Sequence, residues 1–346
     1  MLAVLATPFV LSLILTIVAF PLVTSAQAPV RPPALSAEAV LLLDPEGRTV
    51  FAKNAGTARP PASLVKLMTL YLACEALEAG RTDVDELATV SHHAASTPRY
   101  RMGLRPGGQV PVQVLLEGVA IASANDAATA LAEHLGGDEA TFVGWMNDKA
   151  RELGLADTHF TNPHGLPDPL QHSTARDLAE LTARLLRDHP MSRPLLGGQT
   201  FVFNGRVYAR HIPLFTDPGG VQALKTGFTN EAGYNLAVSA WRDGQQFLMI
   251  VLGSRSRALS FLDAKRLLRF GFVENGLEAP TAPKASPRRP ARVRRGPPKA
   301  GRGARTVRTR RSALAGELLA LDVRPQLLGH LRGSDRRAAE DRFEGV

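Results

Sequence analysis

The order of apolar and polar positions divides the chain into three parts. Residues 2–23 contain no charged side chain. Between residues 29 and 277, short apolar runs alternate with polar turns, which is the pattern of a globular domain. From residue 278 onward, basic residues, prolines and glycines are frequent. The pattern therefore predicts one folded body, over residues 29–277, between two segments of a different kind.

The first elements of the body are predicted to be a β-hairpin and a buried helix. Apolar runs at 40–43 and 49–51 are separated by Asp-Pro-Glu-Gly, a sequence typical of a turn. A helix is predicted over 63–78, because two prolines precede it and Gly80 follows it. Its side chains are apolar on nearly every side, so this helix is expected to be buried.

The rest of the body is predicted to be helical at first and then β-structured. The predicted helices cover 112–121, 126–135, 141–153 and 177–187. Apolar runs at 234–240 and 247–252 then predict two strands, which an Asp-Gly turn joins, and a last helix follows at 264–270. Strands, then helices, then strands and a helix indicate an α+β fold. We expect an antiparallel sheet flanked by helices, with a helical lobe inserted in the chain between its strands.

The excess of basic over acidic residues is confined to the C-terminal end of the chain. The 346 residues include 41 Lys+Arg and 32 Asp+Glu, a formal net charge of +9. Residues 281–346 alone hold 17 basic and 6 acidic residues, so the remainder is slightly acidic. The charge of the body therefore does not indicate nucleic-acid binding. The single cysteine, Cys74, excludes an intramolecular disulfide framework and a cysteine-rich metal site.

The apolar N-terminal segment has features of an export signal. Its apolar run is followed by Ala26-Gln27-Ala28, a small-x-small cleavage site. The run carries no lysine or arginine before it and is long enough to span a bilayer if it is not removed. We expect residues 1–28 to be a signal peptide, with a retained membrane anchor as the alternative. The body is then exported to the periplasm or cell envelope.

The C-terminal segment, residues 278–346, is predicted to be a mostly disordered tail. Twelve basic residues and no acidic one lie between Lys284 and Arg311, among prolines, glycines and alanines. Such a segment buries too little apolar surface to offset the entropy of ordering it. It could bind anionic lipid headgroups or cell-wall polymers. An exported protein rarely meets nucleic acid, so we expect no nucleic-acid partner.

A serine and a lysine at the start of the predicted buried helix are the strongest candidates for chemistry. Ser63 and Lys66 are three residues apart and so lie on one helix face. A serine hydroxyl needs an adjacent base to become nucleophilic, and burial can lower the pKa of a lysine until it serves as that base. A helix-capping serine and a solvated lysine are the ordinary alternative. The apolar neighbours of Lys66 disfavour this alternative, because they place the lysine inside the protein. Burying a lysine costs free energy, so a buried lysine indicates a function.

Two further short motifs occur later in the chain. Ser123-Ala124-Asn125 lies between two predicted helices, where a simple helix cap or turn is the alternative. Lys225-Thr226-Gly227 opens the region of strands, where a loop before a strand is the alternative. In this motif the lysine and threonine offer a cation and a hydroxyl to a carboxylate, and the glycine lets a substrate backbone approach closely.

Together these motifs carry a resemblance to a known family. Ser-x-x-Lys, Ser-x-Asn and Lys-Thr-Gly, in this order, form the active-site set of penicillin-binding proteins and serine β-lactamases. Over residues 36–275 the chain resembles the D-alanyl-D-alanine carboxypeptidase family, which are low-molecular-mass penicillin-binding proteins and serine-type DD-peptidases. The stretches that carry the resemblance are 61–69, 123–126, 162–166, 173–177, and 225–229 with 232–234. The resemblance implies a β-lactamase/DD-peptidase-like fold.

The resemblance also implies roles for the first two motifs. Ser63 would be the nucleophile that attacks the carbonyl between two terminal D-alanines, and Lys66 would be its general base. Ser123 would relay a proton to the departing D-alanine amine. Asn125 would hold the substrate amide and help to orient Lys66.

The third motif would complete the site by binding the substrate. Lys225 would add positive potential to the Ser123–Lys66 pair, and Thr226 would bind the substrate carboxylate. Gly227 would leave room for the substrate backbone. The backbone N–H groups of Phe228 and of the nucleophilic serine would form the oxyanion hole.

The function implied is that of a serine-type D-Ala-D-Ala carboxypeptidase. It would remove the terminal D-alanine from peptidoglycan pentapeptides, and β-lactam antibiotics would acylate the same serine. No cofactor and no metal ion is expected. Many relatives add a β-rich second domain and an amphipathic C-terminal helix, and neither is visible in this sequence.

Three alternatives remain open at this point. A class A β-lactamase needs a loop glutamate to activate the deacylating water, and residues 157–177 contain none. A DD-endopeptidase shares all three motifs. A non-catalytic penicillin-binding or wall-tethering protein would act through the basic tail.

Some weaker candidates are not included in the expected site. A metal site at His159, His164 and His172 is disfavoured, because their spacing fits no ligand pattern. Arg255 and Arg257 could bind a carboxylate or could lie at a solvated edge.

Overall fold

The computed structural model describes residues 31–98, 100–216 and 220–278. The predicted signal peptide, and the predicted tail from residue 279 onward, lie outside these residues. Within the described part, no helix combines the length and apolar character needed to cross a membrane.

A five-stranded antiparallel sheet forms the centre of the described body. The strands are β1 (Ala39–Leu43), β2 (Thr49–Lys53), β3 (Leu87–Thr89), β4 (Gln109–Pro111), β5 (Thr200–Phe203), β6 (Arg206–Ala209), β7 (Val221–Thr229), β8 (Gly233–Arg242) and β9 (Gln245–Ser254). The central sheet has the order β2-β1-β9-β8-β7, so the two ends of the body meet in it. Two small two-stranded sheets, β3 with β4 and β5 with β6, lie outside it.

Helices cover both faces of this sheet. The chain between β2 and β7 forms the inserted helical lobe, and the last helix covers the opposite face. The helices are α1 (Lys66–Glu78), α2 (His92–Ser96), α3 (Val112–Ala120), α4 (Asn125–Gly136), α5 (Glu139–Glu152), α6 (Ala175–Asp188), α7 (Ser192–Gly197) and α8 (Arg257–Glu274). The predicted α+β class, with an antiparallel sheet, flanking helices and an inserted lobe, is confirmed.

Alternation along the strands explains the two separate apolar cores. In β1, Leu41 packs with the helical lobe, whereas Val40 and Leu42 pack on the side of α8. Successive side chains of a strand point to opposite faces, so a strand covered on both sides is apolar throughout. Leu41 is 5% exposed and its two neighbours are fully buried.

The helix α1 is the buried axis of the lobe. It packs against α3, α4, α5 and α6, which explains why its sequence is apolar on nearly all sides. The structure differs from the predicted helix at its start, because residues Ala62–Val65 form a separate 3₁₀ turn. Ser63 is therefore part of a tight turn before α1, not a capping residue.

Other differences from the sequence predictions concern short elements and boundaries. The Lys225-Thr226-Gly227 motif, expected to open the region of strands, lies inside β7, a strand that was not itself predicted. The last helix begins at Arg257 instead of 264, because Ser256 caps it by accepting a hydrogen bond from the Leu259 N–H. The two small two-stranded sheets and the helices α2 and α7 were not predicted, since they are too short to show a clear period.

Candidate active site

Ser63 lies at the floor of a cleft between the helical lobe and β7. The cleft has a volume of about 570 Å³. Ala62, just before the serine, has a φ of 49°, a left-handed conformation that costs a non-glycine residue energy. The 3₁₀ turn therefore holds Ser63 at one fixed point, half-buried, with its neighbours on both sides buried.

The Lys66 ammonium group is fully buried and points to Ser63. Its Nζ lies 3.1 Å from Ser63 Oγ, 2.7 Å from Asn125 Oδ1 and 2.5 Å from the His164 carbonyl oxygen. Burial lowers the pKa of Lys66 to about 7, although the carboxylate of Asp126 acts in the opposite direction. An amine with such a pKa is largely able to accept a proton near neutral pH.

Asn125 is the first residue of α4, and its side chain spans the site. Its Oδ1 accepts from Lys66, and its Nδ2 donates to the carbonyl of Pro98 at 2.9 Å. The next residue, Asp126, is completely buried and accepts hydrogen bonds from the backbone N–H groups of 102–104. The start of α4 thus anchors the loop that forms one edge of the cleft.

Ser123 and Lys225 form a second pair in the same cleft. Lys225 Nζ donates to Ser123 Oγ at 2.7 Å and to the Thr226 carbonyl at 3.0 Å. Lys225 is 1% exposed, and burial, together with the positive charges of Lys66 and Arg210, lowers its pKa well below the usual lysine range. Ser123 has a φ of 55°, so its position is also fixed by a strained backbone.

Strand β7 runs close to the turn that carries Ser63. A Cβ atom added to Gly227 would lie 3.1 Å from the backbone nitrogen of Ser63 and 3.1 Å from the carbonyl oxygen of Pro61. Any larger residue at 227 would push the strand away from the serine. This contact brings the Lys-Thr-Gly motif beside the Ser-x-x-Lys motif.

The Asn-Pro-His-Gly stretch packs beneath the same turn. Gly165 has a φ of 86°, and a Cβ there would lie 2.0 Å from the Ala62 carbonyl oxygen. The His164 carbonyl accepts from the buried lysine of the site, while burial and that lysine's charge lower the pKa of the His164 imidazole to about 3. His164 is therefore neutral at ordinary pH and serves through its backbone.

Asn235 is a site-supporting residue that the sequence analysis did not identify. It lies on β8 opposite Gly227 and is 1% exposed. Its Nδ2 donates to the carbonyls of Pro60 and Pro61, both at 3.1 Å, and its Oδ1 accepts from Gly253 N–H at 2.8 Å. It therefore ties the segment before the serine to two strands of the sheet.

The cleft is rimmed by aromatic and cationic side chains. Phe228 and Tyr234 lie on paired positions of β7 and β8, with ring centroids 4.3 Å apart. Tyr100 is 64% exposed at the rim, and Arg210 and Arg257 also line the cleft. The other candidate arginine, Arg255, does not belong to the lining residues.

The remaining sequence candidates lie elsewhere. His159 and His172 form an isolated β-bridge and contact each other with ring centroids 6.2 Å apart. Across residues 31–98, 100–216 and 220–278, no group of three or more histidine, cysteine or acidic side chains could hold a metal ion. Cys74 is fully buried, and burial raises its pKa to about 12, which fits an inert core residue.

A match to a protein-family model assigns this chain to a family. The family model for D-alanyl-D-alanine carboxypeptidase matches residues 24–256, more than half of the chain. This chain belongs to that family. The match contains the three motifs that the structure brings together around Ser63, from the Ser-x-x-Lys turn to the Lys-Thr-Gly strand.

Individual members of the family show the same relationship. The D-alanyl-D-alanine carboxypeptidase DacA of Escherichia coli K12 is 38% identical over 248 residues, which are 69% of this chain and 62% of DacA. Penicillin-binding protein 5 of Haemophilus influenzae superposes with a TM-score of 0.69 at 35% identity, covering 71% of this chain and 73% of that one. Penicillin-binding protein D2 of Listeria monocytogenes, in its cefotaxime-bound form, gives 0.61 at 31% identity, covering 70% and 99%.

The carboxypeptidase relatives are longer than the part that matches. This chain spans about three fifths of DacA from Escherichia coli K12 and of DacA from Escherichia coli O157:H7, 62% in each case. The family match ends at residue 256 and so contains all nine described strands and the helices α1 to α7. The family and the DD-peptidase-like fold are therefore established for this chain.

Proposed function

We propose that this protein is a serine-type D-Ala-D-Ala carboxypeptidase that removes the terminal D-alanine from peptidoglycan stem peptides. The observation that carries the proposal is the pair of Ser63 Oγ and Lys66 Nζ, 3.1 Å apart, with the pKa of the lysine lowered to about 7. This is a nucleophile beside a base that can accept its proton. The names of the curated relatives support the same activity.

In the acylation step, Ser63 Oγ attacks the carbonyl carbon between the two D-alanines. Lys66 Nζ accepts the hydroxyl proton as the new C–O bond forms. The C–N bond then breaks, and the departing amine takes a proton from Ser123 Oγ, which lies 2.7 Å from Lys225 Nζ. The proton that Lys66 accepted replaces the one lost by Ser123, so Lys66 is neutral again before water attacks. The products are D-alanine and an ester of the remaining peptide on Ser63.

Deacylation reverses the same proton transfers with water as the nucleophile. Water adds to the ester carbonyl and gives its proton to Lys66, and the C–O bond to Ser63 breaks as the serine recovers a proton. The backbone N–H groups of Ser63 and Phe228 are proposed to stabilise the oxyanion in both steps. The close approach of β7 to Ser63 at Gly227 supports this placement.

The cationic side of the cleft is proposed to bind the substrate carboxylate. Lys225 and Thr226 lie next to each other on β7, and Gly227 keeps the strand accessible to an extended peptide. Arg257 lines the same cleft and donates to the His211 carbonyl at 2.9 Å. A terminal carboxylate would meet a cation and a hydroxyl here, which favours peptides with a free C-terminus.

β-Lactam antibiotics are proposed to acylate Ser63 as covalent inhibitors. The structure of the Listeria protein named above is a cefotaxime-bound form, and a second structure of it is an ampicillin-bound form. A β-lactamase activity is disfavoured, because residues 157–177 of this chain contain no glutamate that could activate the deacylating water.

Purified protein should release D-alanine from a synthetic stem pentapeptide and should act more slowly on cross-linked peptide dimers. The expected preference follows from the cationic end of the cleft, where a free carboxylate pairs better than an amide. The measurement is free D-alanine per minute beside chromatographic quantification of dimer cleavage. Preferred cleavage of dimers would replace the proposal by a DD-endopeptidase, and activity on neither would contradict both.

The protein is further proposed to act in the cell envelope and to contact anionic surfaces through its basic C-terminal segment. Residues 1–28 support export, and the basic residues between 284 and 311 support the contact. The full-length protein should sediment with phosphatidylglycerol vesicles or isolated cell walls at low salt and be released at high salt. A variant with these basic residues changed to serine should stay in the supernatant. Equal sedimentation of both would contradict the contact.

A further inference from the structure

Arg210 lies at the junction between the helical lobe and the sheet, directly after strand β6. Its guanidinium group donates to four backbone carbonyls. Nη1 lies 2.9 Å from the Leu224 oxygen and 3.2 Å from the Ala120 oxygen. Nε lies 2.7 Å from the Gly198 oxygen, and Nη2 lies 2.5 Å from the Leu196 oxygen.

Two of these carbonyls belong to segments that carry the reacting groups. Ala120 is the last residue of α3, three residues before Ser123. Leu224 immediately precedes Lys225 on β7. Arg210 therefore connects the segment that holds Ser123 to the strand that holds its hydrogen-bond partner.

The other two carbonyls lie at the end of α7, on a third segment. Leu196 is in the helix α7, and Gly198 caps its C-terminal end. The last carbonyls of a helix have no partner within the helix, so a cation placed there satisfies them. This contact fixes the guanidinium group against a rigid element, and Phe215 adds a further contact with its ring centroid 5.1 Å from Arg210 Cζ.

We propose that Arg210 is a positioning residue that sets the distance and the charge balance of the Ser123–Lys225 proton relay. The proposal rests on the function proposed above, because it assigns Arg210 a place in the same acyl transfer. Arg210 acts by holding the backbone carbonyls of Ala120 and Leu224 and by placing a positive charge near Lys225.

An arginine fits this junction better than any other side chain. Its planar fork presents five N–H donors in fixed directions, so one group can hold several carbonyls in different elements. A lysine would keep the charge, but its single ammonium group could not span the same acceptors. Loss of the planar guanidinium group should therefore loosen the arrangement of Ser123 and Lys225. Loss of the positive charge should also change the proton affinity of Lys225.

The charge of Arg210 acts on Lys225. Because a neighbouring cation disfavours a second ammonium, Arg210 is one cause of the lowered pKa of Lys225, after burial and Lys66. Removing the charge would raise the pKa of Lys225. If the charged Lys225 supports acylation, the basic limb of the pH–rate profile would move to higher pH.

Two variants separate the fork from the charge. Arg210→Lys and Arg210→Met should both slow the acylation of Ser63 by fluorescent penicillin, by about 10²-fold, which is the scale of a misplaced reacting group. Only Arg210→Met should move the basic limb of the profile upward. Thermal unfolding of each variant is measured in parallel, so that the acylation rates are compared only between folded proteins.

Arg206→Met provides the matched control from the same hairpin. Arg206 is exposed and lies over the Tyr208 ring, away from the carbonyls of α3 and β7. It should be labelled at the wild-type rate with an unchanged profile. If folded Arg210→Lys is labelled as fast as wild type, the inference is wrong even when Arg210→Met fails to fold. If wild-type protein is not labelled at all, the proposed function itself fails.

Discussion

Ser63→Ala is expected to abolish covalent labelling by fluorescent penicillin and to reduce D-alanine release to the background rate. The serine hydroxyl is the only atom of this turn that can form the ester, since its neighbours in the turn, Ala62, Leu64 and Val65, carry no nucleophile. Removing the nucleophile of a serine hydrolase lowers kcat by about 10⁶-fold. The measurements are in-gel fluorescence after denaturation and a D-alanine assay on the same preparations.

The variant should remain folded, which makes the loss of labelling interpretable. Ser63 is half-buried, and its hydroxyl is one of three groups near the buried lysine amine. Alanine removes one hydrogen bond, worth about 1 kcal/mol, and leaves the Asn125 and His164 contacts in place. We therefore expect a melting temperature within a few degrees of the wild-type value.

Ser96→Ala is the matched serine control for this prediction. Ser96 is exposed, and its hydroxyl donates to the His93 carbonyl within its own short helix. The Ser96→Ala variant should be labelled to the same extent as the wild type. The label on the wild-type protein should also persist after excess probe is removed. Equal labelling of Ser63→Ala would show that another residue is acylated. Loss of the wild-type label within seconds would instead indicate a β-lactamase.

Most strands of the sheet and the main helices were predictable because they are long enough for their pattern of apolar residues to be recognised. The ten-residue strands β8 and β9 have mostly apolar central stretches, since helices cover both faces of the sheet. The strands of β5 and β6 have four residues each and show no such run. The strand β7 was missed because Lys225, Thr226 and Gly227 interrupt its apolar pattern, and they do so because they face the cleft.

The site was predictable as far as it consists of short motifs. Ser63, Lys66, Ser123 and Asn125 were named from spacing and resemblance, and the structure brings them to one cleft. Asn235 could not be found in this way. Its partners, the carbonyls of Pro60 and Pro61, lie some 174 residues earlier in the chain. Every residue has a backbone carbonyl, so the sequence does not show which carbonyls act as acceptors.

The same reasoning explains why Arg210 was missed. Its acceptors are backbone oxygens in α3, α7 and β7, which the fold alone brings together. Lys66 was easier to notice, because a lysine in an apolar helix contradicts the pattern around it. Sequence analysis therefore finds the residues that break a pattern, and it misses those that support them through the backbone.

Acylation of the wild-type protein is expected to have an acid limb that reports one group with a pKa near 7. Lys66 must be neutral to accept the proton of Ser63, and burial lowers its pKa to about 7. Below that pH the protonated fraction rises, so the acylation rate should fall tenfold per pH unit. At pH 5 it should be about 100-fold below the plateau. The measurement is the rate of fluorescent penicillin labelling between pH 5 and 9.

The acid limb does not come from His164. Burial and the charge of Lys66 lower the pKa of this imidazole to about 3. It stays neutral over the whole range from pH 5 to 9. A second imidazole, His211, lines the cleft, so variants of Lys66 are needed to assign the limb to the amine.

Two substitutions at Lys66 test the assignment. Lys66→Arg keeps a cation beside Ser63, but a guanidinium group does not lose its proton, so acylation should fall by about 10²- to 10⁴-fold. Lys66→Met removes both charge and base from a fully buried position and should lose as much activity. It also leaves the Asn125 oxygen and the His164 carbonyl without this donor, which costs about 1–3 kcal/mol of stability for each buried group.

The comparison of these two variants separates a base from a simple positive charge. If Lys66 acted only through its charge, Lys66→Arg would keep most of the wild-type rate. As a base it must be the group whose deprotonation raises the rate, so both variants should also lose the acid limb near pH 7. Lys149→Met removes a lysine that bridges Glu75 and Glu152 on the lobe surface, and its profile should match that of the wild type. A folded Lys66→Arg protein that retained the limb would assign it to another group and remove Lys66 from the mechanism.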